Sequence, residues 1–380
     1  MTLEDFLDTW HSPSDTLLVH TSGSTGTPKP MLVEKRRMLN SAKITCDFLG
    51  LKPGDTALLC MSLDYIAGKM MVVRSIERGL KLISVKPSGH PLSDESLNLA
   101  DESLDLADES LNQANDTAWK QGITFAAMVP MQVYNTLQVP EERERLTHIK
   151  HLIIGGGAID SALEAELRSL PGDIAIWSTY GMTETLSHIA LRRINGREAS
   201  EWYQPFDSVK VSQTEEGCLV IDAPLVCKQP LVTNDIVEIE AISGMANGDS
   251  GGGSKPYKYN KVREEGVRFR IKGRKDNVIC SGGIKIQIEE VENLLKPHLQ
   301  RPFMLAKKKD EKFGEIAVLL TEDEDLKQVE ATVRRLLSYD NNKNPEEETS
   351  SKKYWIPREY MHVDRLPLTE TGKPKRAFLL

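Results

Sequence analysis

The 380-residue sequence lacks paired cysteines, a long apolar run and a basic surplus, and each absence argues against a class of protein. Its five cysteines form no CxxC pair and are odd in number, which argues against a disulfide framework or a structural zinc site. No stretch approaches the ~18 consecutive apolar residues of a membrane-spanning helix. The opening, "MTLEDFLDTW", lacks the basic and apolar regions of a signal peptide, so we expect a reduced, cytoplasmic protein.

The charge balance is acidic, with 48 Lys and Arg against 56 Asp and Glu and a formal net charge of −8. Proteins that bind nucleic acid usually carry a basic surplus, so we expect no nucleic-acid partner. A bound anion would have to be held by a local group of cations. The length and the 39% hydrophobic content fit a globular protein of two or three domains.

In the first half of the chain, apolar runs such as "TLLV" (16–19) alternate with helical periodicity, as at 34–49 and 67–79. This alternation predicts an α/β fold with mostly parallel sheets, in which 16–19 is a buried strand. Strand-like runs crowd together after residue 205, and an amphipathic helix in "IQIEEVENLL" opens a smaller α+β unit. We predict a large N-terminal domain at 1–275, including a β-rich part, and a small mobile C-terminal domain at 276–380.

An acidic repeat, "DESLNLADESLDLADESLNQA", occupies residues 94–114. Its leucines and alanines alternate by three and four residues, which is heptad spacing. The apolar seam is thin and the composition is of low complexity. We therefore favour an acidic insertion at the surface over a packed helical segment.

A stretch rich in glycine, serine and threonine, "TSGSTGTPK" (21–29), follows the first apolar run. Its glycines would let the backbone approach a phosphate closely, and its lysine supplies charge. The spacing matches neither the P-loop nor the dinucleotide fingerprint, and composition alone leaves open a flexible surface loop. The candidate anion-binding residues are Thr21, Ser22, Gly23, Ser24, Thr25, Gly26 and Lys29.

Five motifs together resemble the adenylate-forming superfamily, which contains acyl- and aryl-CoA ligases, adenylation domains and luciferases. The stretch at 21–29 resembles the phosphate loop of that superfamily. The others follow in the family's order: "STYGMTET" (178–185), "TND" (233–235), "GRKDNVICSGGIKIQIEEVE" (273–292) and "LPLTETGKPKR" (366–376). A set of five ordered motifs leaves chance little room.

The resemblance implies roles for the residues of the second motif. Tyr180 would stack on adenine, Thr183 would contact phosphate, and Glu184 would hold the Mg²⁺ ion that accompanies ATP. Taken alone, Tyr180 could be a core aromatic residue, but its polar flanks argue against that.

The later motifs imply ribose, phosphate and catalytic contacts. Asp235 and Arg274 would bind the ribose, and Lys285 would neutralise phosphate charge. Lys373 would be the catalytic lysine, carried on a loop between Gly372 and Pro374. Without the resemblance, Asp235 could be a turn or cap carboxylate, and Arg274 and Lys285 could be surface cations.

The implied reaction joins a carboxylic acid to ATP and then to a thiol. The substrate carboxylate attacks the α-phosphorus, pyrophosphate leaves, and the acyl-adenylate passes its acyl group to coenzyme A. Positioned cations and Mg²⁺ would stabilise the charge that develops on phosphate. In the family the small domain rotates between the two steps, with Asp276 at the hinge and Gly282 and Gly283 along the CoA tunnel.

Three segments resemble the o-succinylbenzoate–CoA ligases of menaquinone biosynthesis: "YIAGKMMVVRSIERG" (65–79), "ITFAAMVPMQVYNTL" (123–137) and "HLIIGGGAI" (151–159). That substrate is a dicarboxylate, so a second cation is needed, and Arg74 and Lys69 are the candidates. Solvated helix charges are the alternative interpretation of both. The resemblance also implies an acyl-substrate site that includes Gly155, Gly156, Gly157 and His188.

The sequence departs from the family pattern in three places. Ile66 replaces a usual histidine, Asn234 replaces a usual glycine, and little sequence precedes the phosphate loop. Two alternatives stay open: another aryl- or acyl-CoA ligase or carrier-protein-loading adenylation enzyme, and a non-catalytic adenylate-binding protein. A homodimer is also possible.

Overall fold

A computed structural model describes residues 1–20, 29–93, 104–105, 122–171, 173–242, 266–338, 352–368, 374 and 376. The chain forms two compact units. The first comprises Met1–Ser212, Val220–Val232 and Ile239–Arg270. The second comprises Gln213–Leu219, Thr233–Glu238 and Ile271–Leu380. The domain boundary at 275/276 stays a prediction.

Helices and strands occur in both units. The α-helices are α1 (Leu3–His11), α2 (Lys35–Leu49), α3 (Ile66–Arg78), α4 (Pro130–Leu137), α5 (Pro140–Thr147), α6 (Ser161–Arg168), α7 (Ile288–Leu295) and α8 (Leu326–Ser338). The strands up to residue 193 are β1 (Thr16–His20), β2 (Pro30–Glu34), β3 (Thr56–Leu59), β4 (Lys81–Ser84), β5 (Leu104–Asp105), β6 (Ile123–Met128), β7 (Ile149–Ile154), β8 (Ala175–Gly181) and β9 (His188–Arg193).

The remaining strands are β10 (Gln204–Pro205), β11 (Lys210–Gln213), β12 (Cys218–Asp222), β13 (Leu231–Ile242), β14 (Gly266–Arg274), β15 (Val278–Ser281), β16 (Ile284–Gln287), β17 (Phe303–Asp310), β18 (Gly314–Thr321) and β19 (Glu359–His362). Short 3₁₀ turns cover Pro91–Ser93, Thr183–Thr185, Lys275–Asn277 and Lys352–Trp355.

An eight-stranded sheet forms the centre of the first unit, in the order β10-β9-β8-β7-β6-β3-β4-β5. Strands β8, β7, β6, β3 and β4 pair in parallel, whereas β9, β10 and β5 are antiparallel additions at the edges. The parallel strands are runs of buried apolar residues, because helices cover both faces of such sheets. The predicted α/β class with mostly parallel strands is confirmed.

Glycines end the two helices that pack together beside this sheet, α2 and α3. Gly50 and Gly79 adopt the left-handed conformation and donate their backbone N–H groups to carbonyls of the preceding turn. Helices are therefore present at both predicted positions, 34–49 and 67–79, to within one residue at each end. The α2 helix buries Met38, Ala42, Cys46 and Leu49 on one face, the periodicity that the sequence displays.

Strands β1 and β2 form a separate two-stranded antiparallel sheet. The predicted strand at 16–19 is present, but the expectation that it is buried throughout is wrong. Leu17 and Val19 are buried, whereas Leu18 is 50% exposed opposite Leu32, which is 70% exposed. The alternation follows from pairing with one neighbour only, so that one face packs inward and the other faces solvent.

The second unit contains a sheet in the order β16-β15-β18-β17, with β19 parallel to β18. Helices α7 and α8 share one apolar cluster with this sheet, in which Val291, Leu319 and Val333 are fully or nearly fully buried. The predicted helix in "IQIEEVENLL" begins only at Ile288. Ile286 instead pairs with Ile279 across β15 and β16, so tertiary pairing overrides the local helical pattern.

A four-stranded sheet in the order β11-β12-β13-β14 accounts for the strand-like runs after residue 205. The glycine-rich segment 243–265 between β13 and β14 lies outside the described residues. Most of the acidic repeat at 94–114 does too, so its predicted place at the surface stays a prediction. Leu104–Asp105 within it pairs antiparallel with β4. None of the helices in the described ranges is long and apolar enough to cross a membrane.

Acid should destabilise the fold through His151 on β7. The side chain is buried and neither ring nitrogen has a hydrogen-bond partner in the described part of the chain. Burial, with smaller contributions from Lys150 and Arg193, lowers the pKa of His151 to about 4. Below about pH 6.5 the His151 imidazole is protonated in the unfolded chain but stays neutral in the folded chain. The free energy of unfolding therefore falls as pH drops from about 6.5 to about 4.

We expect His151→Phe to weaken this acid dependence by up to about 3 kcal/mol, since one pKa unit corresponds to 1.36 kcal/mol. Urea unfolding of both proteins at pH 7 and pH 4.5 measures the difference. His11→Gln, at the exposed end of α1, is the matched control and should follow the wild type. Equal acid dependence in the wild type and His151→Phe would contradict the prediction.

Candidate active site

The predicted phosphate loop connects β1 to β2. Residues 21–28, and with them the candidates from Thr21 to Gly26, lie outside the described residues. Lys29 is described, is exposed and directly precedes β2. The predicted catalytic Lys373 also lies outside the described residues. The predicted roles of the loop and of Lys373 stay predictions.

Tyr180 lies near the carboxyl end of β8 and is 7% exposed. Its ring meets Phe269 edge to face at 5.2 Å and Tyr203 at 6.0 Å between ring centroids. The side chain therefore belongs to an aromatic cluster of the first unit. Edge-to-face contacts of this kind fix the orientation of a ring.

A tight reversal follows Tyr180 and leads into β9. A Cβ atom on Gly181 would lie 2.2 Å from the carbonyl oxygen of Ser187, so only glycine fits there. Leu186 has a φ of 63°, a left-handed conformation that is strained for a residue other than glycine. Thr185 Oγ1 donates to the Ser187 carbonyl oxygen at 2.6 Å and closes the turn.

The reversal presents the predicted nucleotide-contacting residues on the 3₁₀ turn Thr183–Thr185. Thr183 is buried and Glu184 is exposed. The Cys227 thiol donates to the Glu184 backbone carbonyl at 3.4 Å, which ties the turn to the segment before β13. The Glu184 carboxylate can therefore meet a solvated cation while its backbone is held.

Three predicted glycines follow β7, the parallel neighbour of β8. A Cβ atom on Gly155 would lie 2.3 Å from Thr179 Oγ1, and Gly156 has a φ of 81°. Both positions therefore require glycine, whereas Gly157 has ordinary space around it. The carboxyl ends of β7 and β8 lie at the same edge of the sheet, where open α/β sheets bind ligands.

Arg74, on α3, is a buried cation with few partners. The residue is 2% exposed, and its Nη2 donates to Ser187 Oγ at 2.5 Å. Its Nη1 lies 3.9 Å from Met71 Sδ, and its Nε has no acceptor among the described residues. Burial lowers the pKa of Arg74 to about 10, so the side chain still carries its charge at neutral pH. Since buried charges are normally paired, this guanidinium has unused capacity to bind an anion.

Lys69, the other predicted substrate cation, has a different environment. It is 3% exposed, and its ammonium group donates to the backbone carbonyl of Leu63. Burial lowers its pKa, while the charge of Asp64 acts in the opposite direction. Lys69 thus has a hydrogen-bond partner just before the start of its own helix. Arg74 is therefore the stronger candidate for binding a carboxylate.

His188 is linked to Arg74 through the hydroxyl of Ser187. The imidazole is buried, with Nδ1 3.1 Å from Ser187 Oγ and Nε2 3.0 Å from Thr45 Oγ1. Burial, and then the charge of Arg74, holds the pKa of His188 well below its ordinary value. The structure therefore brings together Arg74 and His188, two residues of the predicted acyl-substrate site.

Sequence reasoning missed two residues of this arrangement, Ser187 and Thr45. Ser187 directly precedes His188 in the motif and could have been noticed there. Thr45 offered only a weaker signal, a hydroxyl four residues after Ser41 on the apolar face of α2.

In the second unit, Arg274 pairs with two carboxylates. Its Nη1 lies 3.2 Å from Asp235 Oδ1 and its Nη2 lies 2.6 Å from Asp276 Oδ2. Burial alone would lower the pKa of Arg274, but the hydrogen bond to Asp276 and the charges of Asp235 and Glu289 raise it above its ordinary value. The structure therefore brings together the two predicted ribose-binding residues and the predicted hinge residue.

Gly282 and Gly283, the predicted CoA-tunnel glycines, form the turn between β15 and β16. Their φ values of 57° and 86° favour glycine at both positions. Lys285 follows on β16, is exposed and pairs in register with Cys280. Its side chain can therefore meet an anionic ligand.

The sequence profile of the AMP-binding enzyme family matches residues 7–222. Among curated relatives, a 2-succinylbenzoate–CoA ligase of Bacillus cereus is 23% identical over 365 residues, which are 94% of this chain and 67% of that protein. The ligase of the same name from Haemophilus influenzae is 25% identical over 315 residues, 80% of this chain and 58% of that protein.

Solved structures with the same fold include an acyl-CoA synthetase (AMP-forming)/AMP-acid ligase II-like protein from Dyadobacter fermentans. It is 28% identical with a TM-score of 0.56, covering 99% of this chain and 91% of that one. The o-succinylbenzoate coenzyme A synthetase MenE of Bacillus subtilis, in complex with ATP and a magnesium ion, is 20% identical with a TM-score of 0.64, covering 95% and 69%. These likenesses confirm the predicted fold class.

The environment of Arg74 predicts an unusual response to mutation. Arg74→Met should raise the free energy of unfolding by about 1–3 kcal/mol, because it removes a buried charge that has no carboxylate partner in the described part of the chain. Urea unfolding without ligand measures the change.

Arg192→Met is the matched control, because Arg192 forms a largely buried ion pair with Glu164 at 2.6 Å. Breaking that pair should lower the free energy of unfolding by about 3 kcal/mol or more. If both substitutions destabilise the protein equally, Arg74 is an ordinary structural cation.

Proposed function

The chain belongs to the AMP-binding enzyme family, and from that premise we propose that it is an AMP-forming acid–CoA ligase whose acid substrate is 2-succinylbenzoate. The observation that carries the choice of acid is the buried Arg74 guanidinium, which has no carboxylate partner among the described residues. A monocarboxylic acid offers such a charge no second carboxylate, because its one carboxylate is the group that is activated. A dicarboxylic acid keeps one carboxylate after the other has been activated, and that group needs a cation.

Arg74 suits this task because of its chemistry. A guanidinium can hold a carboxylate with two parallel N–H···O bonds, which fixes orientation as well as charge. Burying a carboxylate without a partner costs free energy, so a site without this cation would bind the dicarboxylic acid poorly. Arg74 is 2% exposed, so a carboxylate would reach the guanidinium only if part of the surrounding cover moves.

The turn after β8 would serve the nucleotide. Thr183 would donate its hydroxyl to phosphate, and Glu184 would hold Mg²⁺. One exposed carboxylate fits this ion, since Mg²⁺ keeps several waters and takes one or two protein carboxylates together with substrate phosphates. When bound, it would neutralise charge on the phosphate oxygens.

Other predicted residues keep the roles that the motifs imply. Asp235, oriented by Arg274, would accept hydrogen bonds from ribose hydroxyls, and Lys285 would contact phosphate. Lys373 would donate to the oxygens around the α-phosphorus while charge develops there. Donors placed where charge develops lower a barrier more than donors that bind the ground state alone.

The reaction would proceed in two steps, formation of the acyl-adenylate and transfer of the acyl group to coenzyme A. A substrate carboxylate oxygen forms a bond to the α-phosphorus of ATP as the bond from that phosphorus to the bridging oxygen breaks, releasing pyrophosphate. The thiol of coenzyme A, having lost its proton, then attacks the acyl carbon, and AMP leaves with the electron pair of the broken C–O bond. The products are the thioester, AMP and pyrophosphate.

Pyrophosphate release with ATP and Mg²⁺ across a panel of carboxylic acids, with and without coenzyme A, tests this function. We expect 2-succinylbenzoate to give the highest kcat/KM, with AMP and a thioester formed only when coenzyme A is present. Adenylate formation without transfer to coenzyme A would favour a carrier-protein-loading enzyme. Absence of pyrophosphate with every acid would favour a binding protein, and either result would contradict the proposal.

Arg74→Ala tests the choice of acid. The substitution should raise KM for 2-succinylbenzoate by roughly 10–100-fold, corresponding to the 1.5–3 kcal/mol of a charged hydrogen bond. Its effect should be small for 4-oxo-4-phenylbutanoate, the analogue that lacks the ring carboxylate. KM for ATP should also stay nearly constant. Equal damage with both acids would remove the main support for a dicarboxylate substrate.

A further inference from the structure

A chain of buried and partly buried hydrogen bonds links Arg74 to the backbone of α2. Arg74 Nη2 contacts Ser187 Oγ at 2.5 Å, and Ser187 Oγ lies 3.1 Å from His188 Nδ1. On its other side His188 Nε2 lies 3.0 Å from Thr45 Oγ1, which lies 3.1 Å from the Ser41 carbonyl oxygen. We refer to Arg74, Ser187, His188, Thr45 and the Ser41 carbonyl as the buried polar chain.

The two ends of the buried polar chain determine the direction of every bond in it. A guanidinium can only donate, and a carbonyl oxygen can only accept. Thr45 therefore donates its single hydroxyl proton to the Ser41 carbonyl and must accept from His188 Nε2–H. His188 Nδ1 is then bare and accepts from Ser187, whose oxygen in turn accepts from Arg74. All four contacts are satisfied in this arrangement.

The other protonation states of His188 satisfy fewer groups. With the proton on Nδ1, Ser187 would face two donors and its own hydroxyl proton would have no acceptor in the described part of the chain. Thr45 would also have to give up Ser41 to serve Nε2. A doubly protonated ring would leave the same serine proton unpaired and would place a second cation beside Arg74. The neutral ring with its proton on Nε2 is therefore the favoured state.

We propose that Thr45 and His188 are positioning residues that keep Ser187 turned as an acceptor toward Arg74, and so fix the guanidinium for the second carboxylate of a dicarboxylic acid. This inference rests on the proposed function. Ser187 takes one of the five N–H donors of Arg74 and the weak sulfur acceptor of Met71 lies near a second, so most of the donors stay available to the ligand. A reversed Ser187 hydroxyl would point its proton at the guanidinium and loosen it.

The role has a kinetic signature. The held carboxylate does not change during the chemistry, so Arg74 binds it equally in the ground state and the transition state. Loss of such uniform binding raises KM and leaves kcat unchanged. The signature should appear only with acids that carry the second carboxylate.

Thr45→Val is the test, because it keeps the shape of the side chain and removes the hydroxyl. We expect KM for 2-succinylbenzoate to rise about 3–10-fold, the effect of one neutral hydrogen bond. The kcat value, and KM for 4-oxo-4-phenylbutanoate, should stay as in the wild type. Thr45→Ser restores the hydroxyl and should restore KM.

Ser75→Ala is the matched control for a purely structural effect. Ser75 is also fully buried and its hydroxyl donates to a helix carbonyl, that of Met71 at 3.0 Å. It follows Arg74 in α3, but its side chain has no hydrogen bond to any member of the buried polar chain. It should leave both KM values unchanged even if it lowers stability as much as Thr45→Val.

A second measurement needs no substrate. In protein with ¹⁵N-labelled histidine at pH 7, His188, assigned by the signal lost in His188→Gln, should show a protonated Nε2 and a bare Nδ1. Thr45→Val should move part of the population to the Nδ1–H form, and Thr45→Ser should not.

The outcomes separate this inference from the proposed function. A wild-type enzyme that turns over only monocarboxylic acids would overturn the proposed function, and with it this role for the buried polar chain. If the wild type is active on 2-succinylbenzoate, two results would each overturn the positioning role alone: a wild-type His188 protonated on Nδ1, or a Thr45→Val enzyme with unchanged KM or with KM raised equally for both acids.

Discussion

The burial of one guanidinium without a carboxylate beside it is the constraint on which the first unit's site depends. Arg74 projects from α3, and its only short hydrogen bond within the described part of the chain is to Ser187 at the start of β9. Desolvating a charge is expensive, so a protein that keeps it buried must either pair it or use it. The helix pair α2–α3 and the hairpin from β8 to β9 together hold this group in place.

The hairpin can do this because its backbone is unusually tight. The backbone of Gly181 lies so close to the Ser187 carbonyl that no side chain fits at position 181, and Leu186 adopts a left-handed conformation. These features place Ser187 and His188 facing the helices while Thr183 and Glu184 stay at the carboxyl edge of the sheet. One short segment thereby connects the proposed nucleotide contacts to the proposed acid-binding cation. Strain of this kind persists only where surrounding structure holds it.

In the second unit a partly exposed cation is paired with carboxylates instead. Arg274 has two carboxylate partners, Asp235 and Asp276, and its pKa is raised above its ordinary value, whereas burial without such partners lowers the pKa of Arg74. A cation already satisfied by carboxylates orients them for hydroxyl groups of a ligand. A cation without them has capacity for an anion. The contrast supports assigning ribose to one and a carboxylate to the other.

The sequence by itself determined the class of the fold and the position of most candidate residues. Helical periodicity located α2 and α3, the alternation of apolar runs with such periods predicted the α/β class, and the ordered motifs supplied Glu184, Asp235 and Arg274 as candidates. These signals are local, since helical and strand periods repeat within a few residues. The exposed face of β1 and the late start of α7 at Ile288 were missed, because pairing with distant segments decided both.

Only the tertiary structure decided which cation is available to a substrate. Lys69 and Arg74 lie on the same helix, yet one donates to a nearby carbonyl and the other retains unpaired donors. Only the fold brings Thr45 into contact with His188, from which it is separated by 143 positions in the sequence. A hydrogen bond depends on a distance of about 3 Å in space, and no periodicity in the chain encodes that distance.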